Sequence, residues 1–228
     1  MVAALTVAVL AACSTNVDGA PKRPQSSGLR SYLLTADQVG RAVGNPIDRS
    51  GEAKVGSIDL LPNGLRDSND VSPLDCLGAA TPLMRVVYER GGVSGVALQD
   101  FSRLGAGLAV SSVHTGVVRF DSDPEAARMF SAFAQQWRAC SGTAVEVHVT
   151  PTASLQWRIA DVRESGGILS ATVYSAESDD KPAFPTEHAL GLADDCIVEV
   201  DVAVTAGAPN GRAAQLVGLM LQNVSRGR

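Results

Sequence analysis

One segment constrains the fold of this chain more than any other: FDSDPEAARMFSAFAQQWRAC, residues 120–140. Asp123 is placed to cap a helix, Pro124 suits its first position, and Glu125 lies favourably against the positive end of the helix dipole. Ala126, Phe130, Phe133, Trp137 and Cys140 then recur at spacings of four and three, so they share one stripe of an α-helix that must be buried. Aromatic residues are only 4% of the 228-residue chain, which makes this stripe the main anchor of a core. Helical spacing already explains the clustering, without any need for a cofactor box.

After this helix the pattern changes to alternation. AVEVHV and LQWRIADV pair as antiparallel strands if residues 150–154 form the loop, setting Val149 opposite Leu155, Val147 opposite Trp157 and Val145 opposite Ile159 on one face. The other face then pairs His148 with Gln156 and Glu146 with Arg158, an expected cross-strand ion pair. ILSATVYS returns through RESGG, matching Ile159 with Ala171 and Trp157 with Val173. A polar loop, AESDDKPAFPTEHA, leads to a valine-rich strand ending near Thr205. NGRAAQLVGLMLQNV closes the sequence as a helix with Ala213, Val217, Met220 and Val224 on its buried stripe.

Upstream, LLTADQVGRAVG reads as a short helix capped by Thr35, with Gly44 and Pro46 marking its end. A loop-rich stretch runs over residues 45–73. LGAATPLMRVVYERGGVSGVALQDFSRL turns from helical to strand-like, and AVSSVHTGVVRF, residues 109–120, alternates as a strand. Strands grouped together with helices on one side predict an α+β domain.

The chain opens with an apolar run, residues 2–12, of the length of a secretory signal core and too short to span a bilayer. The alternative is a buried helix or strand with Cys13 as a core thiol. Leu10, Ala11, Ala12 and Cys13 resemble the lipobox of bacterial lipoproteins, which implies a diacylglyceryl group on the Cys13 sulfur and cleavage before it. Residues 14–31, STNVDGAPKRPQSSGLRS, read as a linker rich in Ser, Gly and Pro. The expected organisation is a signal over 1–12, a flexible tether over 13–31 and a folded domain over 32–228. A tether of this size reaches at most about 60 Å, holding the domain near the outer face of the cell membrane.

Export places Cys76, Cys140 and Cys196 where disulfides persist. Cys196 shares a strand face with Val198, Val200, Val202 and Val204, which predicts a buried thiol. That leaves Cys76 and Cys140 as the pair, both at element ends; an intermolecular bridge through Cys196 is the open alternative.

A formal charge of −5 without a basic run excludes a nucleic-acid partner. No cofactor fingerprint or nucleophile elbow is present: Ser94 does not have glycines at both required offsets, and Gly105 and Gly107 lack a third. His114, His148 and His188 have no metal-ligand spacing, and Asp194 with Asp195 reads as a loop or strand entry. No catalytic residue is assigned. Glu146, His148, Gln156, Arg158, Thr172, Tyr174, Glu199 and Asp201 occupy alternate strand positions. They read either as a solvated sheet face or as a face that binds a small polar ligand or a peptide.

The order of parts, LLTADQVG, a Cys-Leu after a proline-containing loop, VVRFDSDPEAARMFSAFAQQWRACSG, QWRIADV, a valine strand and a closing helix, resembles the extracellular sensor domain of PknH-type receptor kinases and their lipoprotein relatives. The resemblance runs from about Tyr32 to Val224 and has no kinase segment. It implies a curved antiparallel sheet packed with helices, a cleft for a ligand, and a bridge between Cys76 and Cys140; Cys196 stands alone where the kinase domain has a second bridge. The resulting expectation is a lipid-anchored, non-catalytic sensor-like protein that binds a small polar ligand or an envelope protein. A cell-envelope hydrolase and a structural envelope protein are the rival readings.

Overall fold

The computed structural model describes residues 28–150, 153–176, 184–205 and 207–227. The apolar opening, Cys13 and the tether up to residue 27 lie outside the described residues. The described helices are α1 (Ala36–Val43), α2 (Leu77–Ala80), α3 (Arg85–Tyr88), α4 (Asp123–Cys140) and α5 (Arg212–Arg226). The strands are β1 (Asp48–Arg49), β2 (Lys54–Gly56), β3 (Val71–Ser72), β4 (Val93–Ser102), β5 (Val110–Phe120), β6 (Ala144–Thr150), β7 (Ala153–Ser165), β8 (Ile168–Ala176), β9 (Phe184–Ala193) and β10 (Cys196–Val204).

The strands form one antiparallel sheet in the order β1, β4, β5, β10, β9, β8, β7, β6, β3, with β2 also paired to β4. The α+β class and the mainly antiparallel sheet are therefore as expected. Helices, however, cover both faces. Val118, Leu190 and Ile197 pack with Phe133 and Trp137 of α4, while their neighbours Val117, Ala189 and Val198 pack with α1 and α5. The physical reason is that β5, β9 and β10 lie in the middle of the sheet. Apolar residues there occupy both sets of alternate positions, so one layer of helices cannot bury them.

The stripe of α4 is placed as its spacing predicts: Ala126, Phe133, Trp137 and Cys140 are buried and Phe130 is half-buried against the same core, though Ser122 and not Asp123 holds the N-cap position. Each large side chain fully buried in this way contributes about 1.5–3 kcal/mol. Cys140 is bridged to Cys76, with Cα atoms 5.5 Å apart, and Cys196 is a free, buried thiol. Thr35 forms a reciprocal capping box with Gln38, and Gly44 ends α1 in the left-handed region, at φ 81°. On α5, Ala213, Val217, Met220 and Val224 are all buried. The folded part begins slightly before Tyr32, because Leu29 opens a 3-10 turn and is fully buried in the core shared with α1 and α5.

Strand registers differ from expectation by two residues, which preserves the faces but changes the partners. Val145 lies opposite Trp157 and Val147 opposite Leu155, so Glu146 faces Gln156 and the expected pairing of Glu146 with Arg158 is not made. Ile159 faces Val173 because the β7–β8 hairpin turns on Gly166 and Gly167 alone and β7 carries one extra residue between Ala160 and Arg163. Both are left-handed, at φ 59° and 76°, the geometry a two-residue hairpin turn requires.

Candidate functional site

On the face covered by α5, β8 presents Ser170, Thr172 and Tyr174 at alternate positions. Residues 208–211 lead into α5, and between them and the β7–β8 hairpin a groove of about 640 Å³ opens. Its walls include Asp161 and Arg163 of β7, the hydroxyls of β8 and Glu187 of β9. A bulge creates the β7 wall: Asp161 takes φ 53°, and pairing jumps from Ala160 opposite Thr172 to Arg163 opposite Ser170. The Arg163 Nε donates to the Asp161 carbonyl at 3.3 Å.

Glu187 fixes the far wall. Gly211 precedes α5 without a side chain that could cap it, and the Glu187 carboxylate accepts instead from the backbone N–H groups of Asn210, at 2.7 Å, and Ala213, at 3.0 Å. The Arg212 guanidinium lies 3.5 Å from the same carboxylate. A strand carboxylate thus holds the positive end of α5 against the sheet. The groove offers hydroxyls, a peripheral guanidinium and an acid, a lining suited to orienting a small polar molecule.

The structure divides the polar residues expected to share a face. Tyr174 lines the groove, and Arg158 lies directly opposite it on β7. Glu146 and His148 occupy the same face on β6, further towards the sheet edge, with His148 Nδ1 4.0 Å from Glu146 Oε1. Glu199 and Asp201 are a correction, because they point to the opposite face. Alternation along β10 sends Cys196, Val198, Val200 and Val202 towards α5, so Glu199 and Asp201 turn towards α2, α3 and α4.

There Glu199, 2% exposed, is the centre of a buried network. Its Oε2 accepts the Tyr88 hydroxyl at 2.6 Å and the Leu83 N–H at 3.0 Å, while Oε1 lies 2.7 Å from His188 Nε2. His188 Nδ1 is 3.3 Å from the Ala79 carbonyl, and the Trp137 ring lies 4.4 Å away between centroids. Burial by itself pulls the His188 imidazole down, but the hydrogen bond and charge of Glu199 carry it above its ordinary value. Burial pushes the Tyr88 phenol well up, and Glu199 adds to the effect. Asp201, half-buried beside His188 and His114, is pushed up to about 6 by burial against the opposing pull of the two histidines. At the more open end, His114 Nδ1 lies 3.0 Å from Asp100 Oδ1; that bond raises the imidazole and lowers the carboxyl.

Sequence reasoning missed Asp161, Arg163, Ser170 and Glu187. The available signal is the alternation of Glu187, Ala189 and Gly191 with His188, Leu190 and Leu192, which marks the strand β9 over part of the expected polar loop. Asp194, at φ 56°, forms with Asp195 the two-residue turn from β9 to β10, at the entry to the β10 strand. Among the described residues, no group of three or more His, Cys, Asp or Glu could hold a metal ion. No described helix is long and apolar enough to cross a membrane.

Residues 24–223 match the model of the PknH-like extracellular domain family. The crystal structure of the extracellular domain of PknH from Mycobacterium tuberculosis superposes with a TM-score of 0.73 at 20% identity, covering 87% of this chain and 95% of that one. A structure of an uncharacterised protein from Mycobacterium smegmatis gives a TM-score of 0.41 at 12% identity, over 89% of this chain and 97% of the other. No curated protein matches the sequence.

Proposed function

The chain belongs to the PknH-like extracellular domain family, and from that premise we propose that it is an exported lipoprotein whose folded domain binds a small polar ligand without chemical turnover. The groove over β8 carries this reading: Thr172 and Tyr174 beneath, Asp161 and Arg163 to one side, and residues 208–211 closing the other. A ligand carrying hydroxyls or both charge signs fits such a lining better than an apolar one. Arg158, opposite Tyr174, extends the same surface. Glu146 and His148 belong to its outer margin. His188, part of the groove's lining, has its side chain fully buried against Glu199 and does not present it to a ligand, which suits binding without turnover.

Anchoring is part of the proposal. Cys13 carries the lipid, residues 1–12 are removed, and the remaining tether holds the domain at the outer face of the cell membrane. Mass spectrometry of protein extracted from membranes tests this part; an unmodified Cys13 or a retained Met1 overturns it.

The ligand reading is tested by titrating amino acids, dipeptides and disaccharides into labelled protein while following the backbone amides of Thr172 and Tyr174. At least one class shifts those amides, and Thr172→Trp, which fills the groove, abolishes the response. A response that survives Thr172→Trp, or none from any class, rejects the groove as the site.

A further inference from the structure

The strand registers place four titratable side chains in one straight row across the sheet. Asp100 on β4 lies opposite His114 on β5, His114 opposite Asp201 on β10, and Asp201 opposite His188 on β9. Directly opposed residues are the closest neighbours an antiparallel sheet allows, so acid and imidazole alternate from the half-exposed Asp100 and His114 to His188, which is fully buried.

The inner end of the row holds a segment of chain. Both ring nitrogens of His188 face acceptors, the Glu199 carboxylate and the Ala79 carbonyl. Only the imidazolium has a hydrogen on each nitrogen and can satisfy both. The Trp137 ring beside it suits a cation as well. The same dyad grips the segment from α2 to α3 at three places: Ala79 through His188, and Leu83 and Tyr88 through Glu199. Leu83 is buried and left-handed, at φ 59°, a conformation a leucine keeps only where its surroundings impose it. Just beyond Tyr88, this segment forms one wall of a cavity of about 320 Å³ whose other wall is α4.

We propose that the row from Asp100 to His188 is a proton-controlled latch: the charged imidazole of His188 fastens the segment containing Leu83 and Tyr88 to the sheet, and loss of its proton loosens that segment. With the proton gone, one acceptor faces a bare nitrogen lone pair in the core, a costly arrangement. The charged and titratable groups acting on His188 are Glu199 and Asp201 of β10. Tyr88 of α3 shares Glu199, while α2 and α4 present only the Ala79 carbonyl and the Trp137 ring. His114 and Asp100 continue the row outwards, and Lys54 acts on Asp100. Asp201 relays the state of the open end, since its charge supports protonation of both histidines. The disulfide tethers the start of the segment to α4, so release is a loosening and not a departure.

Hydrogen exchange of the full domain, corrected for intrinsic rates, from about pH 5 to about pH 9 reads this directly. The Leu83 amide exchanges at least about tenfold faster at the alkaline end, while amides of β5 and β10 keep their protection. Asp201→Asn, at a half-buried site, moves the midpoint of that change to lower pH by about half a unit or more. His188→Gln, if folded, removes the pH dependence. Constant protection of Leu83 across the range overturns the latch, as does an unmoved midpoint in Asp201→Asn or a loosening spread evenly over the sheet.

Discussion

The Tyr88 hydroxyl donates a 2.6 Å hydrogen bond to the Glu199 carboxylate, joining a short helix to a central strand of the sheet with both partners almost fully buried. Tyr88→Phe keeps the ring, which contacts Phe133 edge to face at 5.3 Å between centroids, and removes only the donor. A hydrogen bond to a charged group is worth about 1.5–3 kcal/mol, and the variant loses about that much in urea denaturation. A stability equal to wild type contradicts the role of the bond.

The bridge between Cys76 and Cys140 closes a sequence separation of 64 residues. In the chain-entropy treatment a loop of that size is worth about 4 kcal/mol. The paired replacement of both cysteines by serine lowers the denaturation midpoint accordingly, and reductant has a matching effect on wild type but none on the variant. Equal midpoints with and without reductant in wild type contradict a stabilising bridge.

Much of the fold was legible where one periodicity dominated. The α4 stripe and the α5 stripe each name a buried helix face, and Thr35 with Gly44 delimits α1, because caps and spacing are local chemistry. Register was not legible, since a shift of two residues keeps every side chain on its face and only turns and bulges decide; Gly166 and Gly167 make a tighter turn than expected, and β7 bulges before Arg163. The candidate site was less legible, because burial of a strand's second face is not a local property. Alternation on β10 separates Glu199 and Asp201 from the valines, but it cannot say whether the second face is open. In the middle of a sheet clad on both sides, that face is another core, and its acids need partners such as Tyr88 and His188.

Burial and the neighbouring Asp195 carboxylate push the Cys196 thiol up to about 12, and its side chain is inaccessible. Thiolate is the reactive form. Native protein therefore leaves Cys196 unmodified by a thiol reagent at neutral pH and forms no dimer through it under oxidising conditions, whereas denatured protein with Cys13 acylated and the bridge intact reacts with one equivalent. A disulfide-linked dimer under native conditions refutes this assignment and restores the intermolecular alternative.

At Gly191, β9 runs tightly against α5. A Cβ there would stand 2.8 Å from Val217 Cγ1 and 2.9 Å from Leu221 Cδ1, both on the helix that also roofs the groove. Gly191→Ala therefore forces α5 outwards, with an overpacking cost of about 1–3 kcal/mol. Thermal denaturation reads the loss, and the amide shifts of Ala213 and Asn210, next to Glu187, report the displaced helix. A variant with an unchanged midpoint shows that the contact relaxes freely.

The row of acids and imidazoles sets the sign of the pH dependence. Asp201 has a folded value of about 6 against an ordinary 3.8, so its charge opposes folding above pH 6, and that penalty disappears as the pH falls towards 3.8. His114 is raised by its bond to Asp100; its contribution is complete below the ordinary value of 6.5 and is lost as the pH rises through the raised one. Asp100 is lowered by the same bond, so its contribution is present above 3.8 and is lost only as the pH falls through its depressed value. The three slopes leave these groups most favourable to folding in the mildly acidic range, between about pH 4 and 6. Melting temperature measured from about pH 4 to 8 falls towards the alkaline end. His114→Gln, which cannot be charged, flattens the part of that fall that lies above the ordinary histidine value. A melting temperature that climbs steadily through neutrality in wild type would mean that the acid and imidazole charges along this row do not govern its stability.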